Sequence, residues 1–351
     1  MAEFITFQPS DYYNTTIYSG DDGTQAITGV GFQPNFIWEA KRNATGNKYI
    51  FDSVRGVGGS AKQLETTTTA GESTQANMIQ SFDADGYTQG SDMNASGTTY
   101  VSWSWKAETT TGIDTTGSTI TPTSYSFNQT AGMSIIKYTG NNTSGALVPH
   151  GLAAKPGFII VKVLSVDEWG VYHQGLNKGV DPEDWYIQLN QTSTGSTNTA
   201  YWNDTAPTSV LFTLGNSGVV NSVDDYIAYC FAEKNGYSKF GSYEGNGNAD
   251  GPFVYTGFRP AFLLIKNMDT SATGWICYDD KRDGYNVDNA FTNINNNASS
   301  EGSNKDILLG ANGFKPVVSD NDTNQSGKTY IYSAFAKFPI VSSNDVPGVA
   351  R

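Results

Sequence analysis

The chain of 351 residues contains three related blocks, and this internal repeat constrains the fold more than any other feature. Each block opens with a motif that runs from a glycine through a proline into a strand pattern, at residues 31–37, 151–160 and 257–264. Each block closes with an alternating aromatic strand, and the closing strands align without a gap at 100–107, 226–233 and 330–337. Such a repeat predicts one supersecondary unit that is copied three times.

The local patterns within the blocks are those of β-strands. Large and small residues alternate with period 2 from Tyr100 to Trp105, which places one set of side chains on one face of a strand. Residues 158–163 are rich in β-branched side chains and are bounded by turn residues. No segment of a dozen residues carries an apolar stripe of helical period. The sequence predicts an all-β protein of repeated antiparallel β-sandwich modules with jelly-roll or lectin-like layering.

The predicted modules follow the blocks, and they span residues 1–122, 123–236 and 237–351. The stretch 108–122, rich in Thr, Gly and Ser, is the clearest linker, whereas the junction at 234–252 is tighter. We therefore expect the third module to be closely coupled to the second, with the aromatic closing strands in the cores. The polar loop 286–305 should point outward and carry any recognition.

Composition narrows the range of functions. The chain has 21 basic and 34 acidic residues, a net charge of −13, and this field disfavours binding to nucleic acid or to an anionic membrane. Charged residues are only 16% of the chain, so Asn, Thr, Ser and Gly must supply the polar surface. No apolar run reaches the ~18 residues of a membrane helix, and no secretory signal is visible. Two Cys and two His argue against a disulfide framework and a zinc site, so we expect no metal and no cofactor.

Two aspartate–arginine pairs recur at the same spacing in the first and third blocks. Asp52 with Arg55, and Asp279 with Arg282, follow the second strand pattern of their blocks. Each pair could clamp an anionic or carboxylate-bearing ligand, or could form a local ion pair that closes the strand end. The middle block has His173 in place of the aspartate, and a ligand site repeated in every block would keep its chemistry. We therefore interpret all four residues as structural ion pairs.

Two aromatic dipeptides in the middle block are the candidate ligand site. Trp185-Tyr186 and Tyr201-Trp202 look exposed, in segments rich in Asn, Asp and Thr. An aromatic platform beside a few polar groups is typical of sugar sites. The alternative is that these four rings pack in the core or between subunits, and this alternative is the commoner outcome for aromatic residues.

Acidic and amide residues form two patterns that a cation could use. Asn246, Asn248 and Asp250 are spaced like the start of a calcium loop, but the twelfth position holds Gly257 where a bidentate acid is required. A turn between strands is therefore predicted there. A group of aspartates in the third block could also gather a cation, although we expect no metal; its members are Asp279, Asp280, Asp283 and Asp288.

The sequence contains no recognisable catalytic motif. It has no Gly-x-Ser-x-Gly elbow, no HExxH and no Gly-rich phosphate loop that leads into a helix. Its two histidines leave few candidates for a general base. Carboxylate pairs for glycoside hydrolysis can lie far apart in sequence, so this possibility stays open. We expect a protein that is not an enzyme.

Several short sequence motifs along the chain resemble those of a known family. They include Lys-Tyr-Thr-Gly-Asn at 137–141, Lys-Pro-Gly-Phe-Ile-Ile-Val-Lys at 155–162, Trp-Asn-Asp-Thr at 202–205 and Gly-Pro-Phe-Val-Tyr-Thr-Gly-Phe at 251–258. In these phrases, and in the ending at 335–339, the chain resembles repeat-bearing virion proteins of tailed bacteriophages, notably those of marine and cyanobacterial hosts. The motifs mark turns and strands, and no catalytic residue comes with them.

The resemblance implies a structural protein displayed on the phage particle and assembled in the host cytoplasm. It would be a tail fibre or an appendage that contributes to attachment at the host surface, where a glycan is the expected ligand. Its partners would be further copies of the chain, in a trimer as the first expectation, and other tail or capsid proteins. The alternatives are a capsid-bound fibre or decoration protein without a receptor role, and a soluble carbohydrate-binding module of lectin type.

Overall fold

A computed structural model of the chain describes residues 7–282, 286–287, 290–299 and 304–338. These residues form antiparallel sheets almost throughout, and the predicted all-β sandwich fold is confirmed. The described helices are single turns: two short α-helices, α1 (Thr199–Trp202) and α2 (Gly218–Asn221), and four 3-10 turns, at Pro9–Asp11, Ser91–Met93, Leu176–Gly179 and Pro182–Asp184.

The first sandwich contains nine strands: β1 Tyr13–Ser19, β2 Gln25–Thr28, β3 Phe36–Lys41, β4 Tyr49–Asp52, β5 Ala61–Glu65, β6 Ser73–Gln75, β7 Ile79–Asp83, β8 Gly86–Gln89 and β9 Thr99–Trp105. Its large sheet has the order β1-β9-β3-β4-β5-β6, and its small sheet has the order β2-β8-β7.

The second sandwich also contains nine strands: β10 Ser124–Asn128, β11 Met133–Thr139, β12 Ala146–Pro149, β13 Pro156–Val163, β14 Trp169–His173, β15 Trp185–Gln188, β16 Ser196–Thr197, β17 Leu211–Leu214 and β18 Asp225–Ala232. Its large sheet has the order β10-β11-β18-β13-β14-β15-β16, and its small sheet pairs β12 with β17.

The third sandwich is built from the strands β19 Ser238–Glu244, β20 Val254–Tyr255, β21 Pro260–Asn267, β22 Trp275–Asp279, β23 Thr292–Asn293, β24 Ile307–Gly310, β25 Gly313–Pro316 and β26 Thr329–Ala336. Its large sheet has the order β19-β26-β21-β22-β23, and its small sheet has the order β20-β25-β24. The predicted module boundaries after residues 122 and 236 fall between β9 and β10 and between β18 and β19.

The three large sheets share the order of their central strands. In each sheet the closing strand lies between an early strand of its sandwich (β1, β11 or β19) and the strand that follows the Gly–Pro motif (β3, β13 or β21). The strand that ends on Asp or His comes next. The register is also shared, because an opening phenylalanine always lies opposite the last aromatic residue of the closing strand: Phe36 and Trp105, Phe158 and Phe231, Phe262 and Phe335.

Each large sheet is buried on both faces. One face packs on the small sheet of its own sandwich, and the other packs into a core that all three sandwiches share. In β26, for example, Tyr330 and Tyr332 belong to the local core, whereas Ile331 and Phe335 belong to the shared core. Because successive side chains of a strand point to opposite faces, such a strand needs apolar residues at nearly every position.

The last aromatic residues of the three closing strands meet in the shared core. The ring centroids lie 6.2 Å apart for Trp105 and Phe231, 5.4 Å for Trp105 and Phe335, and 5.6 Å for Phe231 and Phe335. All three pairs are edge-to-face, which is an arrangement that the charge distribution of aromatic rings favours. The close coupling predicted between the second and third modules therefore includes the first module as well.

A stacked tyrosine pair lies near the start of each closing strand. The second tyrosine of each pair uses its hydroxyl oxygen to accept a backbone N–H from the preceding loop, donated by Ala95, Ser222 or Gln325. The rings are nearly parallel, and their centroids are 4.9 to 5.2 Å apart in the pairs Tyr18–Tyr100, Tyr138–Tyr226 and Tyr243–Tyr330. The same contact thus fixes the loop before the closing strand in all three sandwiches.

Replacing one ring of the shared core should destabilise the whole chain. Phe335→Ala removes a buried ring whose neighbours come from three sheets, and we expect the free energy of unfolding to fall by about 3–5 kcal/mol. Because all three sandwiches share this ring, calorimetry and urea unfolding followed by near-ultraviolet circular dichroism should show a single transition at a lower midpoint.

Phe338→Ala is the matched control, since this ring is 64% exposed and lies three residues further along the chain. It should leave the midpoint unchanged. Separate transitions, of which Phe335→Ala shifts only one, would contradict a shared core.

Candidate functional site

The first predicted ion pair lies in the turn after β4 and is completely buried. Asp52 Oδ1 accepts the backbone N–H groups of Val54 and Arg55 at 3.0 and 2.8 Å, and Arg55 Nε donates to Asp52 Oδ2 at 2.5 Å. The other guanidinium nitrogens donate to the carbonyl oxygens of Lys62 and Ile50, each at 3.0 Å. These hydrogen bonds close the turn after β4.

The second ion pair repeats this geometry in the turn after β22. Asp279 Oδ1 accepts the backbone N–H groups of Lys281 and Arg282, both at 3.0 Å. Arg282 Nε donates to Asp279 Oδ2 at 2.6 Å, and Nη2 donates to the carbonyl oxygen of Cys277 at 2.9 Å. Both side chains are fully buried.

Each of these turns also contacts the closing strand of a neighbouring sandwich. Tyr229 Oη donates to Asp52 Oδ2 at 2.7 Å, which joins the first sandwich to the second. Trp103 Nε1 donates to Asp279 Oδ2 at 3.0 Å, which joins the third to the first. At the remaining junction, His173 Nε2 lies 3.0 Å from a backbone carbonyl oxygen of β26. The three junctions therefore close a ring around the shared core.

The four residues of the predicted sugar site lie close together, but two of them are buried. Tyr201 and Trp202 are 4% and 2% exposed, because α1 folds them onto the core of the second sandwich. Trp185 and Tyr186 are half-buried at the start of β15, and the rings of Tyr186 and Tyr201 stack with centroids 3.8 Å apart. The expected exposure of Tyr201-Trp202 is therefore wrong, and the ring face of Tyr186 that contacts Tyr201 is not open to a sugar.

The aspartate group that could gather a cation lies only partly within the described residues. No group of three or more His, Cys, Asp or Glu residues there could hold a metal ion. Asp280 is largely buried, and burial raises the pKa of its carboxyl group. Asp283 and Asp288 lie outside the described residues, as do parts of the predicted recognition loop 286–305.

The segment 246–250, whose spacing is like the start of a calcium loop, forms a loop between β19 and β20. Asn246 Oδ1 accepts the backbone N–H of Asn248 at 2.9 Å, and Asn246 Nδ2 donates to the carbonyl oxygen of Asp250 at 2.8 Å. These bonds close a turn, as the sequence predicts.

A cavity of about 490 Å³ lies beside the first sandwich. Its wall includes Tyr12, Asn35, Lys106 and Glu108. The ammonium group of Lys106 is 3.0 Å from the Glu108 carboxylate, and Asn35 Oδ1 accepts the backbone N–H of Ala107 at 2.9 Å. The Lys106 and Glu108 side chains are therefore paired with each other, and Asn35 is engaged with the backbone.

Glu39 is a buried carboxyl group that the sequence analysis missed. The hydroxyl groups of Tyr18 and Tyr87 donate to its Oε1, and Oε2 has no hydrogen-bond partner. The corresponding positions of the other large sheets hold Val161 and Ile265, which face their local cores. Burial raises the pKa of Glu39 to about 8, although the two tyrosine hydroxyls oppose this effect.

Two buried lysines occupy one equivalent position in the second and third sandwiches. Lys266 Nζ donates to the carbonyl and side-chain oxygens of Thr273, and burial lowers the pKa of both Lys162 and Lys266 to about 8. The first sandwich has Ala40 at this position, and its Lys41 lies one residue further along the strand, on the opposite face.

The outer face of the third small sheet carries two exposed aromatic rings that the sequence analysis also missed. Phe253 and Tyr255, called here the exposed pair, are 55% and 64% exposed, whereas Val254 between them is buried in the local core. The period-2 pattern of this strand was visible in the sequence. Which of its two faces points to solvent depends on the packing of β20 against β21 and β26.

A family described as a domain of unknown function (DUF7483) matches residues 8–339 of the chain. The protein belongs to the DUF7483 family. The match runs from before β1 to beyond β26, so the unit of the DUF7483 family includes all three sandwiches. Neither the curated proteins nor the solved structures contain a match to the chain. None of the described helices of this DUF7483 member is long and apolar enough to cross a membrane.

The buried ion pair at the first junction should contribute strongly to stability. Asp52→Ala leaves the Arg55 guanidinium buried without its carboxylate, and we expect the free energy of unfolding to fall by about 3–5 kcal/mol. The control is Glu244→Ala, which removes the partner of Lys178 in an exposed pair, and its cost should be at most about 1 kcal/mol. Equal losses in the two variants, measured by urea unfolding, would show that burial adds nothing to the Asp52–Arg55 pair.

Glu39 should make the stability of the folded chain depend on pH. Its folded pKa of about 8 lies above the ordinary value of 4.5, so the folded state holds this proton more tightly than the unfolded state does. The associated stability is complete below about pH 4.5 and is lost as the pH rises towards 8.

Glu39→Gln cannot ionise, so its stability relative to the natural chain should increase steadily between about pH 4 and pH 8, by a few kcal/mol in total. Urea unfolding across this range gives the difference, and Glu244→Gln is an exposed control that should follow the natural chain. A difference between Glu39→Gln and the natural chain that does not vary with pH would contradict a raised pKa.

Proposed function

We propose that this protein is a structural protein of a bacteriophage particle, most simply a tail fibre or appendage that contributes to attachment at the host surface. Its partners would be further copies of the chain, with a trimer as the first expectation, and other tail or capsid proteins. It would act by binding and would catalyse no reaction.

The observation that carries this proposal is the ring of three sandwiches around one aromatic core. An external particle protein has to persist without repair, so its operational stability is set by how slowly it unfolds. A body whose sandwiches share a core and are joined at all three junctions cannot lose one sandwich without exposing the other two. This construction suits a component that acts outside the cell.

The sequence supports the same proposal in two further ways. Several short sequence motifs of the chain resemble those of repeat-bearing virion proteins of tailed phages. A surface of Asn, Thr, Ser and Gly with few charges also suits contact with neutral surface polymers, because it has many hydrogen-bonding groups and little charge to desolvate.

A soluble carbohydrate-binding module is the second candidate function, and the exposed pair favours it. Two aromatic rings that lie open on one sheet face are suitable for binding a sugar whether or not the chain is part of a particle. Attachment to a particle therefore has to be tested separately from binding.

The proposal is tested by immunogold electron microscopy of purified particles of the phage that encodes the chain, with antibody raised against the folded protein. Gold at the tail is the expected result. Antibody that has been absorbed with the purified chain is the control and should label nothing. Gold over the head would favour a capsid decoration over an attachment protein, and unlabelled particles would contradict the virion proposal.

A further inference from the structure

We infer that the outer face of the third small sheet, β20-β25-β24, is a binding site for a neutral saccharide, with Phe253 and Tyr255 as its stacking platform. The inference rests on the proposed function for its purpose, since it names the ligand class through which an attachment protein would act. The geometry of the site does not depend on whether, or where, the chain is attached to a particle.

The two rings of the exposed pair point to the same side of the sheet. Phe253 and Tyr255 are separated by one residue, and Val254 between them packs into the local core with Phe314. Phe253 directly precedes β20, and its ring lies against Gly313, the residue paired with Tyr255, so both rings lie on the outer face. The Cα atoms of residues two apart in extended backbone are roughly 7 Å apart. One short oligosaccharide can contact both rings at this spacing.

Each ring rests on glycine backbone and leaves its other side open. A Cβ atom on Gly313 would lie only 2.8 Å from Phe253 Cζ, so the phenyl ring lies directly against this glycine. Tyr255 lies over Gly257, where a Cβ atom would be 3.6 Å from the tyrosine hydroxyl oxygen. The backbone thus supports both rings from below, which limits the conformational entropy lost when a ligand stacks on them.

Polar residues lie near the two rings along the chain and across the strand pairing. Asn312 is exposed in the turn between β24 and β25, and its carbonyl oxygen accepts the backbone N–H groups of Thr256 and Gly257 at 3.0 and 3.1 Å. Lys315 lies beside the position of Phe253 on the same face and pairs with Asp250. Asn312, Lys315 and Asp250 supply an amide, an ammonium and a carboxylate on this sheet, and these are groups that bind sugar hydroxyls.

The charge of the site selects a neutral ligand. Lys315 is balanced by Asp250, and the chain as a whole carries a net charge of −13. An acidic polysaccharide would be repelled by this field, whereas a neutral hexose chain would not. A protein partner is a poorer fit, because two partly exposed rings supply far less than the ~800 Å² per partner that a stable protein interface needs.

The corresponding faces of the other two small sheets do not offer such a platform. In the first sandwich the matching positions hold Ala26 and Thr28, which have no ring. In the second sandwich they hold Leu147 and Pro149, and the chain's own linker lies there, because the backbone N–H of Ile120 donates to the Leu147 carbonyl oxygen at 3.1 Å. An open aromatic platform is therefore particular to the third sandwich among the described small sheets.

The test measures binding of three neutral probes, maltohexaose, cellohexaose and laminarihexaose, to the purified chain by saturation-transfer NMR and calorimetry at millimolar sugar. At least one probe should bind. Phe253→Ala and Tyr255→Ala should each weaken its affinity by about tenfold, whereas Tyr255→Phe, which keeps the ring, should bind with nearly natural affinity.

Phe338→Ala is the matched control, because it removes another exposed phenylalanine ring, two residues after β26 of the large sheet, and its affinity should be unchanged. All variants should keep the natural melting temperature, since the altered side chains are exposed. Absence of binding by all three probes, or binding that survives both alanine substitutions, would overturn the inference. Particle labelling reports separately on the proposed function, so either idea can fail while the other stands.

Discussion

The contact among Trp105, Phe231 and Phe335 is the interaction on which the rest of this structure depends. Each large sheet is apolar on both faces, and its own small sheet covers only one of them. The other face has to be taken out of water by something else, and the three large sheets do this for one another. The three sandwiches are therefore parts of one body whose stability comes from a core that none of them possesses alone.

The buried junctions determine how the three sandwiches are oriented around that core. An apolar core tolerates several arrangements, whereas a buried aspartate that must meet Arg55 and Tyr229 at once tolerates few. The Asp279 junction imposes the same condition between the third sandwich and the first. Hydrophobic burial thus provides the driving force, and the buried polar contacts select one arrangement.

The shared core and the junctions do not use the outer faces of the three small sheets, so these faces are free to differ. The first sandwich presents small residues there, the second is crossed by the chain's own linker, and the third exposes Phe253 and Tyr255. Because these outer residues contribute little to the shared core, they can change without cost to the fold. A binding surface on one outer face is a natural use of such a scaffold, and it accords with the proposed role in attachment.

The sequence by itself determined the β character, the three closing strands and the two Asp–Arg turns, because each depends on spacing within a few residues. Tertiary structure decided which face of each strand meets which core. It buried Tyr201-Trp202 through a four-residue helix too short to show a period, and it placed Ala40 of the first sandwich at the position that Lys162 and Lys266 occupy in the other two. Tertiary structure also buried Glu39 within the first sandwich and exposed Phe253 and Tyr255 on the surface of the third. Strand register and sheet packing are set by residues far away in the chain, and local patterns do not contain that information.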